Sequence, residues 1–338
     1  MNFSPDSKSL TPQPDVLVAD GLRKIYGRRR ALQGLSFSLK SGRVLGFLGP
    51  NGAGKTTAIR ILTTILEPDS GYFFVDGIGS EEPEEIRRRI GVLPESLGFP
   101  KQITAIDFLS YFGQLYGQSA NNARRNTLVL LEEVGLQNRA KSLVGTYSRG
   151  MRQRLGIARA LINNPAVVFL DEPTLGLDPR GQQELLTLVK RIARDRKAGV
   201  ILCSHLLAEV EGICDDVVIL NHGQIVAKGS VAEVVGRVER NMILISLLKI
   251  RVPSSFLAKA RQILEATPGV QNVSSSDDSE SRLEAELINP TGENPDKIYQ
   301  INNRLLSDLI HAKIPVLSFD MGGRLRDVFL HLTEENIE

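Results

Sequence analysis

One stretch constrains this chain more than any other: Gly49-Pro50-Asn51-Gly52-Ala53-Gly54-Lys55-Thr56, spaced as G-x-x-x-x-G-K-[ST]. Its glycines let the backbone curl so that successive N–H groups point inward, and a helix opening directly after the loop adds the positive end of its dipole. The result is an anion cradle in which Lys55 reaches the outer phosphates of a nucleotide and the Thr56 hydroxyl binds Mg²⁺. That mechanism requires a strand before the loop and a helix after it. Both are present, as the apolar run Val44–Leu48 and the helical stretch Thr57–Leu66.

A second constellation follows at Val167-Val168-Phe169-Leu170-Asp171-Glu172. A buried strand ending in two carboxylates puts Asp171 beside the Mg²⁺, directly or through water. Glu172 then stands where a water is aligned on the γ-phosphate. Alone, such a run is often a strand entering an acidic turn. A P-loop, expected on a neighbouring strand, gives it chemical meaning.

The rest of the chain supports an α/β fold. From Val16 to about Gly229, short apolar runs alternate with helical periods, with strands expected at Val44–Leu48, Tyr72–Val75, Val92–Pro94, Val167–Leu170, Val200–Cys203 and Val217–Leu220. A helical insertion at about residues 96–163 interrupts them. The expected boundaries are a disordered tail at 1–15, a P-loop domain at 16–234 and an α+β domain at 241–338. In the last segment, strand Asn241–Val252, helix Ser254–Ala266, strands Val270–Ser274 and Leu283–Leu287, helix Pro295–His311 and strand Pro315–Phe319 run in the order βαββαβ. That is the order of a ferredoxin-like module, here closed by a last helix at Arg324–Thr333. It carries no catalytic cluster, which suits a small regulatory or docking domain.

Bulk properties narrow the function. A net charge of +2 gives no electrostatic reason to expect nucleic acid as a partner. The arginine clusters Arg28–Arg30 and Arg87–Arg89 are short and read as solvated faces, with a phosphate or lipid contact as the lesser alternative. Two cysteines, Cys203 and Cys214, have no metal-ligand spacing and fit a reducing compartment. No stretch approaches the roughly 20 apolar residues that span a bilayer. The first fifteen residues have no apolar signal-peptide core.

Four segments in fixed order then carry a resemblance. Gly49–Thr57 reads GPNGAGKTT, Tyr147–Arg154 reads YSRGMRQR, Leu170–Pro179 reads LDEPTLGLDP and Cys203–Leu206 reads CSHL. Together they resemble the ATP-binding cassette (ABC) ATPases, over about Val16 to Val234. Arg60–Leu66, Gly91–Glu95 and Asp327–Thr333 further resemble the ATPase subunits of multidrug, antibiotic, sodium and polysaccharide exporters.

The resemblance implies a Mg²⁺-dependent ATPase with ATP contacts at Tyr26, Gly49, Pro50, Asn51, Gly52, Ala53, Gly54, Lys55, Thr56 and Thr57. It makes Glu172 and His205 catalytic, with Thr56, Asp171 and Glu95 at the metal. Tyr26 either stacks on adenine or packs in the core. Ser148, Arg149, Gly150 and Met151 form the signature that reaches the ATP of a second, head-to-tail copy, and Asp178 lies on the loop crossing that interface. This signature reads Tyr-Ser-Arg-Gly-Met where the family has Leu-Ser-Gly-Gly-Gln. Arg149 either adds charge near the partner's ATP or points to solvent. Glu95 stands where the family's Mg-binding glutamine is expected.

The expected partner is a transmembrane permease, with the chain on the cytoplasmic face of the membrane. Phe108, Tyr111, Phe112 and Leu115 recur at i, i+3, i+4 and i+7, as core of the insertion or as a docking groove for that permease. The alternatives are a soluble cassette acting on ribosomes or DNA, and an importer ATPase.

Overall fold

The computed structural model describes residues 14–96, 98–204, 206–235, 245–275, 282–288 and 295–321, together with Leu325, Phe329, Leu332 and Thr333. Its contacts separate two compact units, Met1–Ser230 and Val231–Glu338.

The first unit is built on two sheets. One is antiparallel, in the order β2-β1-β4-β5, from β1 (Asp15–Tyr26), β2 (Arg29–Lys40), β4 (Ser70–Val75) and β5 (Ile78–Gly79). The other has six strands in the order β10-β9-β3-β8-β7-β6: β3 (Val44–Leu48), β6 (Ile90–Leu93), β7 (Val167–Asp171), β8 (Gly199–Cys203), β9 (Asp216–Asn221) and β10 (Gln224–Ser230). All its neighbours are parallel except β9 and β10. Every residue of β3 and β8 is buried. That is why these strands read as unbroken apolar runs: a parallel strand covered on both faces has no solvent side to mark with polar residues. Phe37 on β2 and Phe47 on β3, with ring centroids 5.5 Å apart, join the two sheets in one core.

Helices α1 (Lys55–Leu62) and α2 (Pro83–Arg89) precede β6. The insertion is then α3 (Ala105–Leu115), α4 (Ala120–Glu133) and α5 (Arg149–Ala160). Thr104, Ser119 and Ser148 accept from backbone N–H groups of the first turns of α3, α4 and α5, so the expected helical segment is punctuated by its own caps. α6 (Pro179–Arg196) and α7 (Leu207–Ile213) complete the unit.

Three expectations are corrected. The tail ends before residue 15: Asp15 opens β1 opposite Lys40, and Val16 and Leu17 enter the core. Residues 1–13 lie outside the described residues. The third expected strand sits at Ile90–Leu93 rather than Val92–Pro94, because Ile90 is buried and Pro94 has no N–H for the ladder. Finally, β7 does not neighbour the P-loop strand, because β8 runs between them.

The second unit contains β11 (Ile245–Arg251), a helix at Leu257–Ala266, β12 (Val270–Ser275), β13 (Arg282–Ile288), a helix at Pro295–His311 and β14 (Ser318–Met321). Its sheet order is β12-β13-β11-β14, with every pair antiparallel. Leu248, Ile250, Leu264, Leu283, Leu305 and Leu309 share its core. The expected last helix falls mostly outside the described residues. Among those described, no helix is long and apolar enough to cross a membrane.

Candidate nucleotide site

The insertion of β8 organises the site. Cys203 at its end pairs with Phe47 of β3 on one side and Asp171 of β7 on the other. Three chain segments therefore leave the carboxyl edge of the sheet side by side, the edge at which open α/β sheets bind ligands. With neighbouring strands about 4.8 Å apart, the P-loop and the acidic pair stand about 10 Å apart, a gap that suits a phosphate and its metal.

Glycine is needed in the loop for two reasons at once. Gly54 has φ +110°, and a Cβ there would lie 2.6 Å from the Ala31 carbonyl oxygen and 2.9 Å from Leu32 Cδ2. Ala53 drops into the core, while Asn51, Gly52, Gly54, Lys55, Thr56 and Thr57 line the cleft. Gly49 and Pro50 serve it through the backbone: their carbonyls accept from Lys55 Nζ, which arches over the loop (3.1 Å to Pro50).

Tyr26, Glu95, Asp171 and Glu172 complete a cleft of about 980 Å³. Tyr26 is 46% exposed at its mouth, which removes the core-packing reading. Glu172 takes a left-handed conformation, φ +47°, and its N–H donates to the Cys203 carbonyl at 2.9 Å. Such strain in a non-glycine residue persists only where surrounding bonds over-determine it, and it clusters at functional positions.

The charges in the cleft are in tension. Burial pushes the Lys55 ammonium below the ordinary lysine value, while the carboxylates of Glu172 and Asp171 act to raise it. Burial first, then the charge of Glu95, lifts the Asp171 carboxyl above the usual aspartate range, and Lys55 opposes that. Thr56, Asp171 and Glu95 offer oxygen donors, which suit a hard cation. Among the described residues no group of three or more His, Cys, Asp or Glu forms a metal cage. These oxygen donors fit Mg²⁺, which keeps much of its shell for water and phosphate.

The signature does not reach this cleft. Ser148 caps α5, accepting from Met151 N–H at 3.3 Å, and Asp178 occupies the cap position of α6. Neither these two nor Arg149, Gly150 and Met151 line the cleft of their own chain. Arg149 lies against Gly176, where an added Cβ would sit 2.5 Å from Cζ. It also lines a cavity of about 240 Å³ with Glu95, Ser96, Arg152 and Gln153, which brings two of the departures from the family pattern, Arg149 and Glu95, to one place.

His205 lies outside the described residues. Its sequence neighbours are held: Leu206 N–H donates to Ser204 Oγ at 3.0 Å, and Ser204 Oγ donates to the buried Glu209 carboxylate at 2.7 Å. Sequence reasoning passed over Ser204 and Glu209, and it read Arg29, within its cluster, as a solvated face. Ser204 and Glu209 had one available signal, polar residues within and just after CSHL in a largely apolar stretch. The aromatic face divides: Phe108 is buried, whereas Tyr111 and Leu115 are 57% and 62% exposed.

Comparison with known proteins agrees with this geometry. A family model described as ABC transporter matches residues 32–175. The chain is 35% identical over 320 residues to the daunorubicin/doxorubicin resistance ATP-binding protein DrrA of Streptomyces peucetius, a match covering 94% of this chain and 92% of that protein. It is 41% identical over 211 residues to the bacitracin transport ATP-binding protein BcrA of Bacillus licheniformis, covering 62% of this chain and 68% of that protein. A solved ATP-binding subunit of an ABC transporter superposes with a TM-score of 0.58 at 31% identity, covering 66% of this chain and 93% of that one.

Proposed function

This chain belongs to the ABC transporter family as an ATP-binding, ATP-hydrolysing subunit, and from that premise we propose that it drives an exporter of the drug- and antibiotic-resistance type. One observation carries the reading of the site: the ends of β3, β8 and β7 bring Lys55, Asp171 and Glu172 to a single cleft.

In this reading the backbone N–H groups of Gly49–Thr57, Pro50 excepted, and the Lys55 ammonium hold the phosphates, and Tyr26 stacks on adenine. Thr56 and Asp171 hold Mg²⁺, with Glu95 as a further oxygen donor. When bound, Mg²⁺ neutralises charge on the phosphates. Glu172 accepts a proton from the attacking water, and His205 contacts the γ-phosphate. Phosphoryl transfer needs positioning and charge more than covalent chemistry, and these residues supply both.

Ser148, Arg149, Gly150 and Met151 serve the ATP of a second copy, arranged head to tail, and Asp178 lies on the loop between the two. None of the five lines the cleft of its own chain, which supports this. ATP then holds the pair together, and its hydrolysis releases it. The stroke is received by a transmembrane permease at the cytoplasmic face of the membrane, with Tyr111 and Leu115 as the exposed docking side of α3. The names of the relatives above favour export over the ribosome- or DNA-directed and importer alternatives. The second unit is a ferredoxin-like accessory domain at residues 241–338, following in sequence an ATPase domain at 16–234; its β12-β13-β11-β14 order supports that assignment.

Lys55→Ala tests the site. It removes the cation that spans the loop, so ATP binding, followed by calorimetric titration, is expected to disappear. Unchanged affinity would defeat the assignment of the loop.

A further inference from the structure

We propose that Arg29 is a second phosphate ligand of this site, a cation working beside Lys55; the proposal rests on the nucleotide reading of the cleft. Arg29 and Tyr26 face each other across the β1–β2 ladder at its turn. Residues directly opposite on antiparallel strands present their side chains on one face, so the ring and the guanidinium are delivered together. Both line the nucleotide cleft, whereas Arg28 and Arg30 do not.

Arg29 Nη2 donates to the Gly52 carbonyl, in the middle of the P-loop, at 3.0 Å. The approach depends on glycine: a Cβ on residue 52 would lie 2.8 Å from that nitrogen. A guanidinium has five N–H donors in a planar fork, and a single neutral carbonyl leaves most of them to a ligand. Phosphate oxygens are the acceptors that such a fork matches two at a time. The charge balance points the same way. Glu95, Asp171 and Glu172 line the cleft with Lys55 and Arg60, so without Arg29 two cations face three carboxylates and do not offset them, still less an added polyphosphate.

The position differs from the duty of Lys55. Lys55 sits at the end of the loop, bonded to Gly49 and Pro50, and Arg29 reaches over the loop from the hairpin that carries Tyr26. Arg29 thereby ties the base-facing ring to the phosphate cradle. Binding requires only that the fork turn from a carbonyl of the loop to the phosphates beside it.

The test is the affinity of wild type, Arg29→Ala and Arg29→Lys for Mg-ATP, ADP and AMP, measured by calorimetric titration, with ATPase kinetics alongside. A lost charge-assisted bond predicts about a 10-fold weaker ATP affinity in Arg29→Ala, a loss that grows from AMP to ATP and falls on KM far more than on kcat. Arg29→Lys restores part of it, returning the charge without the fork. Unchanged ATP and ADP affinity in Arg29→Ala would overturn the proposal. So would an equal loss for all three nucleotides, which would make Arg29 a prop for the Tyr26 hairpin. If wild type itself failed to bind ATP, the nucleotide reading would fall, and this proposal with it.

Discussion

Burial at the end of β7 and the charge of Glu95 hold the Asp171 carboxyl above the usual aspartate range. A carboxyl with a raised folded-state pKa costs the folded protein stability once ionised. The cost is absent below the unfolded pKa and appears as pH rises through the folded one. Asp171→Asn is therefore expected to raise the melting temperature of the nucleotide-free protein at pH 7. The gap to wild type should close as the pH falls into the acid range, and Mg²⁺-dependent hydrolysis should be lost. A variant no more stable than wild type at pH 7 would remove this electrostatic conflict. At this scale legibility depended on whether a role is local. Lys55, Thr56, Asp171 and Glu172 stand at fixed offsets from a strand end, so their places could be read directly. The exposure of Tyr26 and the reach of Arg29 depend on how a hairpin pairs and over what it folds, and no local pattern encodes that.

The helices of the insertion begin on side-chain caps, and two of these separate stability from function. Thr104 accepts from Asp107 N–H at 3.2 Å and donates to its carboxylate at 2.6 Å; Ser148 accepts from Met151 N–H at 3.3 Å. Loss of either cap costs about 1 kcal/mol, equivalent to a melting-temperature drop of about 2–4 °C for a unit of this size. Thr104→Ala and Ser148→Ala should thus destabilise comparably by calorimetry, but only Ser148→Ala should also depress ATP turnover. Equal turnover in both would reduce Ser148 to a cap. Elements buried on both faces, such as β3 and β8, were legible because they lack polar interruption. β1 and β2 were not, since charged residues such as Arg23, Lys24 and Arg30 alternate with their buried leucines on a sheet with a solvated face. The order of strands was not legible either. Nothing within β7 announces that β8 separates it from β3, yet that gap gives the cleft its width.

At the scale of the whole molecule, the first unit presents a nucleotide cleft and, outside its lining, the Ser148 turn that we propose serves a second copy's nucleotide. The central claim is that two such surfaces close on each other around ATP. Glu172→Gln isolates it. The amide keeps Lys55, Thr56 and Asp171 for binding but cannot take the proton of the attacking water, so hydrolysis should fall about 10²–10⁴-fold. The most direct measurement is the mass of this variant by light scattering, with and without Mg-ATP, in the presence and absence of Ser148→Arg. The account predicts that ATP converts monomer to dimer in Glu172→Gln, and that the added Ser148→Arg keeps the protein monomeric while it still binds ATP. An ATP-induced dimer indifferent to Ser148→Arg, or full hydrolysis in Glu172→Gln, would contradict it.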